Sequence, residues 1–190
     1  MEKTRIERAI DYITALFQGN GDGHDLSHSL RVYKNAMSIA KAEGQGEEEM
    51  IALSALLHDC DDHKLFHTEN NANARSFLEQ EKLPAGVIEE ICKNINSVSF
   101  SKNRGKAPET IEGKIVQDAD RLEAIGAIGI ARCFQFGGSH GRSLENSIEH
   151  FYEKLLLISK ELNTPAARKM AEKRDKLMQD FLKEWGEEMN

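Results

Sequence analysis

Side chains that commonly bind metal ions occur at three separated places in the chain. They are His28, the adjacent pair His58-Asp59, and Asp120. Imidazole and carboxylate ligands together suit a borderline or hard divalent cation, such as Mn²⁺, Mg²⁺, Co²⁺, Fe²⁺, Ni²⁺ or Zn²⁺. Four protein ligands on a six-coordinate ion would leave positions for water or a substrate oxygen. Spacing alone is weak evidence and favours scattered surface polar groups over a metal site, because His-Asp dipeptides are common by chance.

Each of these residues lies on or at the end of a segment with helical periodicity. Apolar residues that recur every three or four positions predict helices in eight segments, and no segment alternates convincingly with period two. The sequence therefore predicts an all-α bundle of about eight helices. The helical segments are expected at about 2–18, 27–43, 47–59, 69–81, 84–98, 109–136 with breaks, 143–161 and 164–185, and irregular stretches at 19–26, 60–68, 99–108 and 137–142.

The apolar faces of these helices must pack against one another, so polar groups on them can converge in the core of the bundle. Unpaired imidazoles and carboxylates are costly to bury. A divalent cation that takes their lone pairs removes this cost. These residues could therefore form one metal centre at which helices meet.

Composition restricts the function classes. The chain has 190 residues and a formal net charge of -7, which disfavours binding to a nucleic-acid polymer but allows a small anionic ligand. The three cysteines are far apart, which favours free thiols in a reducing cytoplasm. No signal peptide or membrane span is expected. We expect a single domain over 1–190, with a motif-bearing core at about 20–136 and C-terminal helices at 143–185 packed on it.

Three local sequences surround the candidate ligands. They read GHDLSHSLRV at 23–32, ALLHDCDDHKLF at 55–66 and IVQDADRLEAIGAIGIAR at 115–132. The order H…HD…D on an all-α chain resembles the HD-domain superfamily of metal-dependent phosphohydrolases. The third sequence is similar to a branch of small, single-domain bacterial members, and the resemblance covers residues from about 20 to about 185.

This resemblance implies a helical HD-domain bundle, and a metal ion bound by His28, His58, Asp59 and Asp120. It also implies hydrolysis of a phosphate ester or anhydride. A bound divalent cation neutralises phosphate oxygens and lowers the pKa of bound water, which yields hydroxide near neutral pH. Asp59 is accordingly expected to take part in catalysis. The cation would also supply a local positive field in an acidic protein.

Cationic side chains are expected to hold the remaining phosphate groups of a substrate. Arg31 lies three residues after His28, hence on the same helical face. Lys64 and Asp62 follow the His-Asp pair closely and are candidate substrate-binding residues, with Asp62 also a candidate partner of a ligand imidazole. Surface solvation or a structural ion pair remains open for Arg31 and Lys64. Arg121 is a weaker candidate, because adjacent helical residues point about 100° apart.

Other groups near the motifs are candidate acids, bases or positioning residues. Asp118 and Asp120 cannot both face one point on a regular helix, and the family motif selects Asp120. Glu123 shares the face of Asp120 and is expected to orient water or substrate. His24 and Asp25 precede the first ligand as candidate acid, base or partner of a ligand imidazole, and a simple helix N-cap is an equal alternative for Asp25.

One metal ion is expected rather than two. Some HD enzymes bind a second ion through further histidines between the His-Asp pair and the last aspartate. Only His63 and His67 lie in that interval, both in an expected loop. A second site therefore lacks ligands, which also argues against the di-iron oxygenases of the fold.

The leading functional prediction is a metal-dependent phosphohydrolase that acts on a small phosphorylated molecule, with a nucleotide as the favoured substrate. Hydrolysis of nucleoside triphosphates with release of pyrophosphate is one candidate reaction. A cyclic-nucleotide or dinucleotide phosphodiesterase is the alternative enzyme, and a non-catalytic module that binds a nucleotide or a metal is the alternative of another class. A homodimer is compatible with the family, although no heptad seam indicates one.

Overall fold

A computed structural model describes residues 2–18 and 26–189, and every regular element in these ranges is helical. Proline and hydroxyl residues begin several helices: Thr4 forms a capping box with Glu7, and Thr164 caps the last helix with Pro165 in its first turn. The helices are α1 (Arg5–Leu16), α2 (Leu26–Glu43), α3 (Glu48–Leu57), α4 (Ala72–Gln80), α5 (Ala85–Val98), α6 (Phe100–Asn103), α7 (Ile111–Glu123), α8 (Gly126–Ser139), α9 (Leu144–His150), α10 (Leu156–Ile158) and α11 (Pro165–Glu188).

The predicted helical bundle is confirmed, with differences at three places. The segment predicted at 109–136 divides into α7 and α8, and α8 continues to Ser139 through residues expected to be irregular. The short helix α6 occupies part of the stretch 99–108, where no helix was expected. Between α9 and α10 the chain forms a π-helix at Phe151–Leu155, and a 3₁₀ turn follows at Ser159–Glu161.

Helices α2, α3 and α7 form the centre of the bundle, because each packs against both of the others. Two apolar clusters flank this centre. One lies between α2, α7 and the C-terminal helices, and includes Val32, Ile115 and Phe151. The other lies between α1, α3, α4 and α5. The arrangement gives the three central helices a fixed relative position, which the site depends on.

A tight turn sets α8 against the end of α7. Gly126 begins α8 at a φ of 76°, where a side chain would be strained. A Cβ atom at Gly129 would be in hard contact with the backbone carbonyl of Ala124. These two glycines therefore allow the close approach that brings residues of α8 beside the C-terminal turn of α7.

The C-terminal helices are anchored to the centre through Asp118, which is fully buried. Its carboxylate accepts hydrogen bonds from the backbone amides of Asn163 and Thr164, and from both of their side chains. The opposite orientations predicted for Asp118 and Asp120 are therefore observed. The three cysteines are free and buried, and none of the described helices has the length and apolar character that a bilayer span needs.

Candidate metal centre

Side chains from the three central helices converge on one point. His28 comes from α2, His58 directly follows α3, and Asp120 lies in the last turns of α7. The Nε2 atoms of the two histidines are 3.2 Å apart. Oδ1 of Asp120 lies 3.3 Å from Nε2 of His28 and 3.8 Å from Nε2 of His58. One ligand atom from each lies within 4.8 Å of the others.

The carboxylate of Asp59 joins this cluster. Its Oδ2 atom lies 3.5 Å from Nε2 of His28 and 3.3 Å from Nε2 of His58. Donor atoms that share an ion at about 2.0–2.2 Å lie roughly 3–3.5 Å apart at adjacent positions. The spacing of His28, His58 and Asp120 therefore fits one divalent cation, and Oδ2 of Asp59 lies beside both ligand nitrogens. We refer to His28, His58, Asp59 and Asp120 as the HHDD cluster.

Hydrogen bonding fixes which nitrogen of His58 faces the cluster. Its Nδ1 atom lies 2.9 Å from the backbone carbonyl of Ala55, to which it donates. The Nε2 atom is thus the one that loses its proton when a cation binds. A ligand imidazole normally donates its other N–H to a carbonyl or carboxylate in this way, so His58 has the arrangement that a metal ligand requires.

The Nδ1 atom of His28 has two neighbours of opposite type. Nη1 of Arg132 lies 2.8 Å away, and Oε2 of Glu123 lies 3.5 Å away. A guanidinium only donates, whereas the Glu123 carboxylate accepts from a protonated Nδ1. Coordination of a metal through Nε2 requires the proton of His28 to lie on Nδ1. Glu123, which accepts from that N–H, is therefore the group that would hold His28 in the tautomer that binds a metal.

The HHDD cluster has strongly perturbed proton equilibria. Burial alone would lower the pKa of His58, but the charge and hydrogen bond of Asp59 and the charge of Asp120 raise it to about 9. Burial would likewise lower the pKa of His28, yet hydrogen bonds to Asp120 and Glu123 raise it. Burial opposes ionisation of Asp120, and its bond to His28 nevertheless lowers its pKa. When no cation is bound, the neighbouring carboxylates therefore favour the protonated form of both imidazoles.

Glu123 lies at the end of α7 and is almost fully buried, with 3% of its surface exposed. Its Oε2 atom accepts from Nε of Arg31 at 2.7 Å and lies 3.7 Å from Nη1 of Arg132. The bonds from His28 and Arg31 lower the pKa of Glu123 against the effect of burial. These contacts favour a positioning role for Glu123, and they give Arg31 a structural ion pair beside the cluster.

The residues that follow the His-Asp pair have mainly local contacts. Asp62 Oδ1 accepts from the backbone amide of Lys64 at 2.8 Å, and it lies 3.9 Å from Nδ1 of the exposed His63. Lys64 is exposed. Asp61 accepts from the amides of Asn73 and Ala74, so it caps α4. The predicted residues His24 and Asp25 lie outside the described part of the chain.

Two cationic residues near the cluster were not predicted. Arg132, at the end of the third motif, contacts His28 and Glu123. Lys154 lies in the π-helix, and the charge of Asp120 acts on it. Nine residues along one helix would put Arg132 on the face opposite Glu123, so their contact depends on the turn between α7 and α8. No spacing in the sequence relates Lys154 to Asp120.

A separate cavity of about 440 Å³ borders Arg121 and the segment 160–163. Lys106, Lys114, Lys160 and Arg168 line it, and none of the HHDD side chains does. Arg121 is buried, donates to the backbone carbonyls of Glu161 and Asn103, and lies 3.7 Å from the Glu161 carboxylate. The prediction that Arg121 points away from the Asp120 direction agrees with these contacts.

A helical bundle that gathers the H…HD…D side chains at one point defines a protein of the HD type. The family model for the HD domain matches residues 25–125 of this chain. The chain therefore belongs to the HD domain family. This result confirms the resemblance noted from the three motifs.

Relatives of similar length share both sequence and fold. YpgQ of Bacillus subtilis, an uncharacterized protein, is 34% identical over 192 residues, covering 96% of this chain and 93% of YpgQ. Its crystal structure in complex with ADP has a TM-score of 0.84, at 29% identity and with 97% and 94% of the two chains covered. The Lin1889 protein of Listeria innocua has a TM-score of 0.81 and 39% sequence identity, and the match covers 97% of this chain and 95% of Lin1889. The crystal structure of an HD-superfamily hydrolase from Bacillus thuringiensis has a TM-score of 0.82 and 35% sequence identity, and the match covers 98% of this chain and 99% of that one.

Proposed function

We propose that this protein is a metal-dependent phosphohydrolase that acts on a small phosphorylated substrate, with a nucleotide as the substrate class. The observation that carries the proposal is the convergence of two imidazole nitrogens and the carboxylate of Asp120, from three central helices, at distances of 3.2–3.8 Å. Oδ2 of Asp59 lies 3.3–3.5 Å from both nitrogens. Membership of the HD family, which includes hydrolase relatives, supports the same conclusion.

His28, His58, Asp59 and Asp120 would hold a single divalent cation. Such a cation neutralises phosphate oxygens and lowers the pKa of water when bound. The chain's own groups then have defined tasks. Ala55 fixes the ring of His58, Glu123 fixes the ring of His28, and Asp59 and Asp120 supply the anionic ligands. His24 and Asp25 stay candidates for the acid or base, as the motif predicted.

Binding of the substrate would rely on cations around the cluster. Arg31 and Lys64 were predicted for this role. Nε of Arg31 donates a hydrogen bond to the carboxylate of Glu123, so Arg31 acts partly by holding Glu123 in place. Asp62 orders the backbone at Lys64 through its hydrogen bond to that amide. We therefore assign Lys64 to the substrate and Asp62 to the shape of the loop that carries Lys64.

The nucleotide assignment is supported by the relative YpgQ, whose crystal structure is a complex with ADP. Hydrolysis of a nucleoside triphosphate that releases pyrophosphate is the finer reaction we propose to test first. A cytoplasmic location, which three free buried cysteines fit, belongs to the same proposal.

The direct test is a product screen with the purified full chain. Nucleoside mono-, di- and triphosphates, cyclic nucleotides, dinucleotides and sugar phosphates are incubated with Mn²⁺, Mg²⁺ or Co²⁺, or with EDTA, and products are identified by mass. We expect turnover of a nucleotide in at least one metal arm and none with EDTA. Cyclic nucleotides or dinucleotides as the best substrates would favour the phosphodiesterase instead.

The Asp59→Ala variant separates an enzyme from a binding module. We expect it to lose metal binding and turnover while keeping its thermal melting curve. Asp180→Ala, at an exposed position of α11, is the matched control and should keep activity. Absence of turnover in every arm for the unaltered protein, together with nucleotide binding that Asp59→Ala does not change, would support the non-catalytic module.

A further inference from the structure

The cavity of about 440 Å³ beside α7 has an excess of positive charge in its walls. The formal charge of the whole chain is -7, so such an excess is not a general property of its surface. Among the described residues, five cationic side chains and one carboxylate, that of Glu161, line this space. We refer to it as the cationic cavity. Its cations come from three parts of the chain: Lys106 follows α6, Lys114 and Arg121 lie on α7, and Lys160 and Arg168 lie in the 3₁₀ turn and the first turn of α11.

The three lysines of the cationic cavity are not neutralised by the protein. None of them forms an ion pair with a carboxylate of residues 2–18 or 26–189. The carboxylate of Glu161 lies 3.6 Å from Nε of Arg104 and 3.7 Å from Nη2 of Arg121, so its charge acts first on two arginines. Positive charge gathered in one concave place attracts anions from solution.

Arg121 contributes a buried charge to the wall of the cavity. The residue is 2% exposed, and its guanidinium donates to the backbone carbonyls of Glu161 and Asn103. Its Nε atom is buried and has no hydrogen-bond partner among the described residues. Buried charges are costly unless they are paired and fully hydrogen-bonded, and an unsatisfied buried donor is rare in native proteins. An anion in the cavity that Arg121 lines would offset part of this cost.

Hydrogen bonds hold the walls of the cationic cavity in place. The buried side chain of Gln117, on α7, donates to the backbone carbonyl of Lys106 at 3.3 Å and accepts from the side chain of Asn163 at 2.9 Å. It therefore ties two sides of the cavity to the same helix. Nε of Arg168 donates to the backbone carbonyl of Leu162 at 3.0 Å. A ligand that enters such a preorganised cavity pays little for ordering the chain around it.

The size and charge of the cavity indicate the class of ligand. A volume of about 440 Å³ lies within the range of about 300–1,000 Å³ that is usual for small-molecule sites. Lysine and arginine side chains are common partners of phosphate oxygens. One phosphate group carries about two negative charges at most, so five cations against one carboxylate fit a ligand with more than one such group. None of the HHDD side chains lines the cavity, so binding there needs no metal ion.

We propose that the cationic cavity is a second ligand site, separate from the HHDD cluster, which binds a small molecule with at least two phosphate groups and requires no metal ion. Lys106, Lys114 and Lys160 contact the phosphate oxygens, and Arg121 adds charge from the buried wall. This site does not depend on hydrolysis at the metal centre. The protein can therefore bind a phosphorylated compound that it does not turn over.

The test measures binding of inorganic pyrophosphate, orthophosphate and citrate to the metal-free full chain by calorimetry. We expect pyrophosphate to bind at one site, at least about tenfold more tightly than orthophosphate or citrate. Lys114→Met should weaken its binding about tenfold and the double variant Lys114→Met/Lys160→Met up to about 100-fold, the effect of losing one and two charge-assisted hydrogen bonds. Lys114→Arg keeps the charge and should keep most of the affinity.

Control variants locate the site. Lys173→Met, at an exposed lysine of α11 that does not line the cavity, should bind pyrophosphate as the unaltered protein does. Asp59→Ala removes a candidate metal ligand and should also leave this binding unchanged. Because Lys114 is half-buried, melting curves establish that its variants are folded. Lys106→Met/Lys160→Met, at two exposed positions, serves if they are not.

The outcomes separate this inference from the proposed function. Metal-free pyrophosphate binding that the cavity variants weaken supports the second site, whether or not any compound is turned over. Absence of this binding in the unaltered protein, or equal binding by the double variant, overturns the site and leaves the hydrolase in place. Binding that requires Mn²⁺ or that Asp59→Ala abolishes would place pyrophosphate at the metal centre instead. Citrate affinity equal to that of pyrophosphate would reject the assignment to phosphates.

Discussion

Replacement of Glu123 should weaken metal binding although Glu123 is not expected to touch the metal. Its carboxylate is 3.5 Å from Nδ1 of His28, and the cation would bind on the opposite side of that ring. Removing the charge with Glu123→Gln takes a negative charge away from a divalent ion at roughly 7 Å. That change costs about 1.2 kcal/mol even at the dielectric constant of water, which is about sevenfold in affinity.

Glu123→Ala should have a larger effect, because it also removes the acceptor that holds His28 in the ligand tautomer. Loss of such a partner typically lowers metal affinity by about 10- to 100-fold. It also leaves Arg132, whose Nη1 is 2.8 Å from Nδ1 of His28, free to stabilise the tautomer that cannot coordinate through Nε2. We therefore expect a graded series in which Glu123→Gln binds about sevenfold more weakly and Glu123→Ala up to about 100-fold more weakly.

The assay is calorimetric titration of Mn²⁺ into metal-free protein at one pH. Glu149→Gln, at an exposed position of α9, is the control for loss of a carboxylate and should bind like the unaltered protein. Melting curves establish that each variant is folded at the temperature of titration. Dissociation constants within twofold of the unaltered protein for both Glu123 variants would refute the proposed positioning of His28.

Three further predictions concern protons, packing and capping. The His58 pKa is about 9 without metal, the pKa of His28 is also raised, and a ligand imidazole must be unprotonated. Mn²⁺ affinity measured by calorimetry should therefore rise at least about tenfold per pH unit toward pH 9 and then level off, and a flat profile would contradict this. Gly129→Ala should cost about 1–3 kcal/mol of stability, since its Cβ would overlap the carbonyl of Ala124. The control Gly138→Ala should not lower Tm, because its added Cβ atom meets nothing within 4 Å. Equal melting temperatures for Gly129→Ala and Gly138→Ala would refute the packing argument. Asp61→Ala should lower the free energy of unfolding by about 1–2 kcal/mol, because it removes two hydrogen bonds at the start of α4. Mn²⁺ affinity should stay unchanged, and a loss of affinity would place Asp61 in the metal site.

The helical architecture was predictable because the apolar positions recur with the period of a helix. The same geometry predicted that Asp118 and Asp120 face different ways, and the family motif selected Asp120 as the ligand. Asp118 anchors the C-terminal helices and Asp120 faces His28. The identity of the ligand set depended on the order of the motifs. Periodicity indicates which face of a helix is buried, but not which polar groups on different helices meet.

The surroundings of the cluster were less predictable because they form only through tertiary packing. The partner of Arg31 is Glu123, which lies 92 positions away in the sequence. The π-helix that carries Lys154 interrupts a segment that reads as one continuous helix in the sequence. No local pattern marked either feature, so both required the arrangement of α7, α8 and the C-terminal helices.

The most direct test of a single metal centre is an anomalous difference map from crystals of the full chain grown with Mn²⁺. One peak is expected, with Nε2 of His28 and His58 and carboxylate oxygens of Asp59 and Asp120 at about 2.0–2.3 Å from it. An empty cluster in crystals whose protein has bound Mn²⁺ elsewhere would contradict the account. So would a peak that these four side chains do not surround.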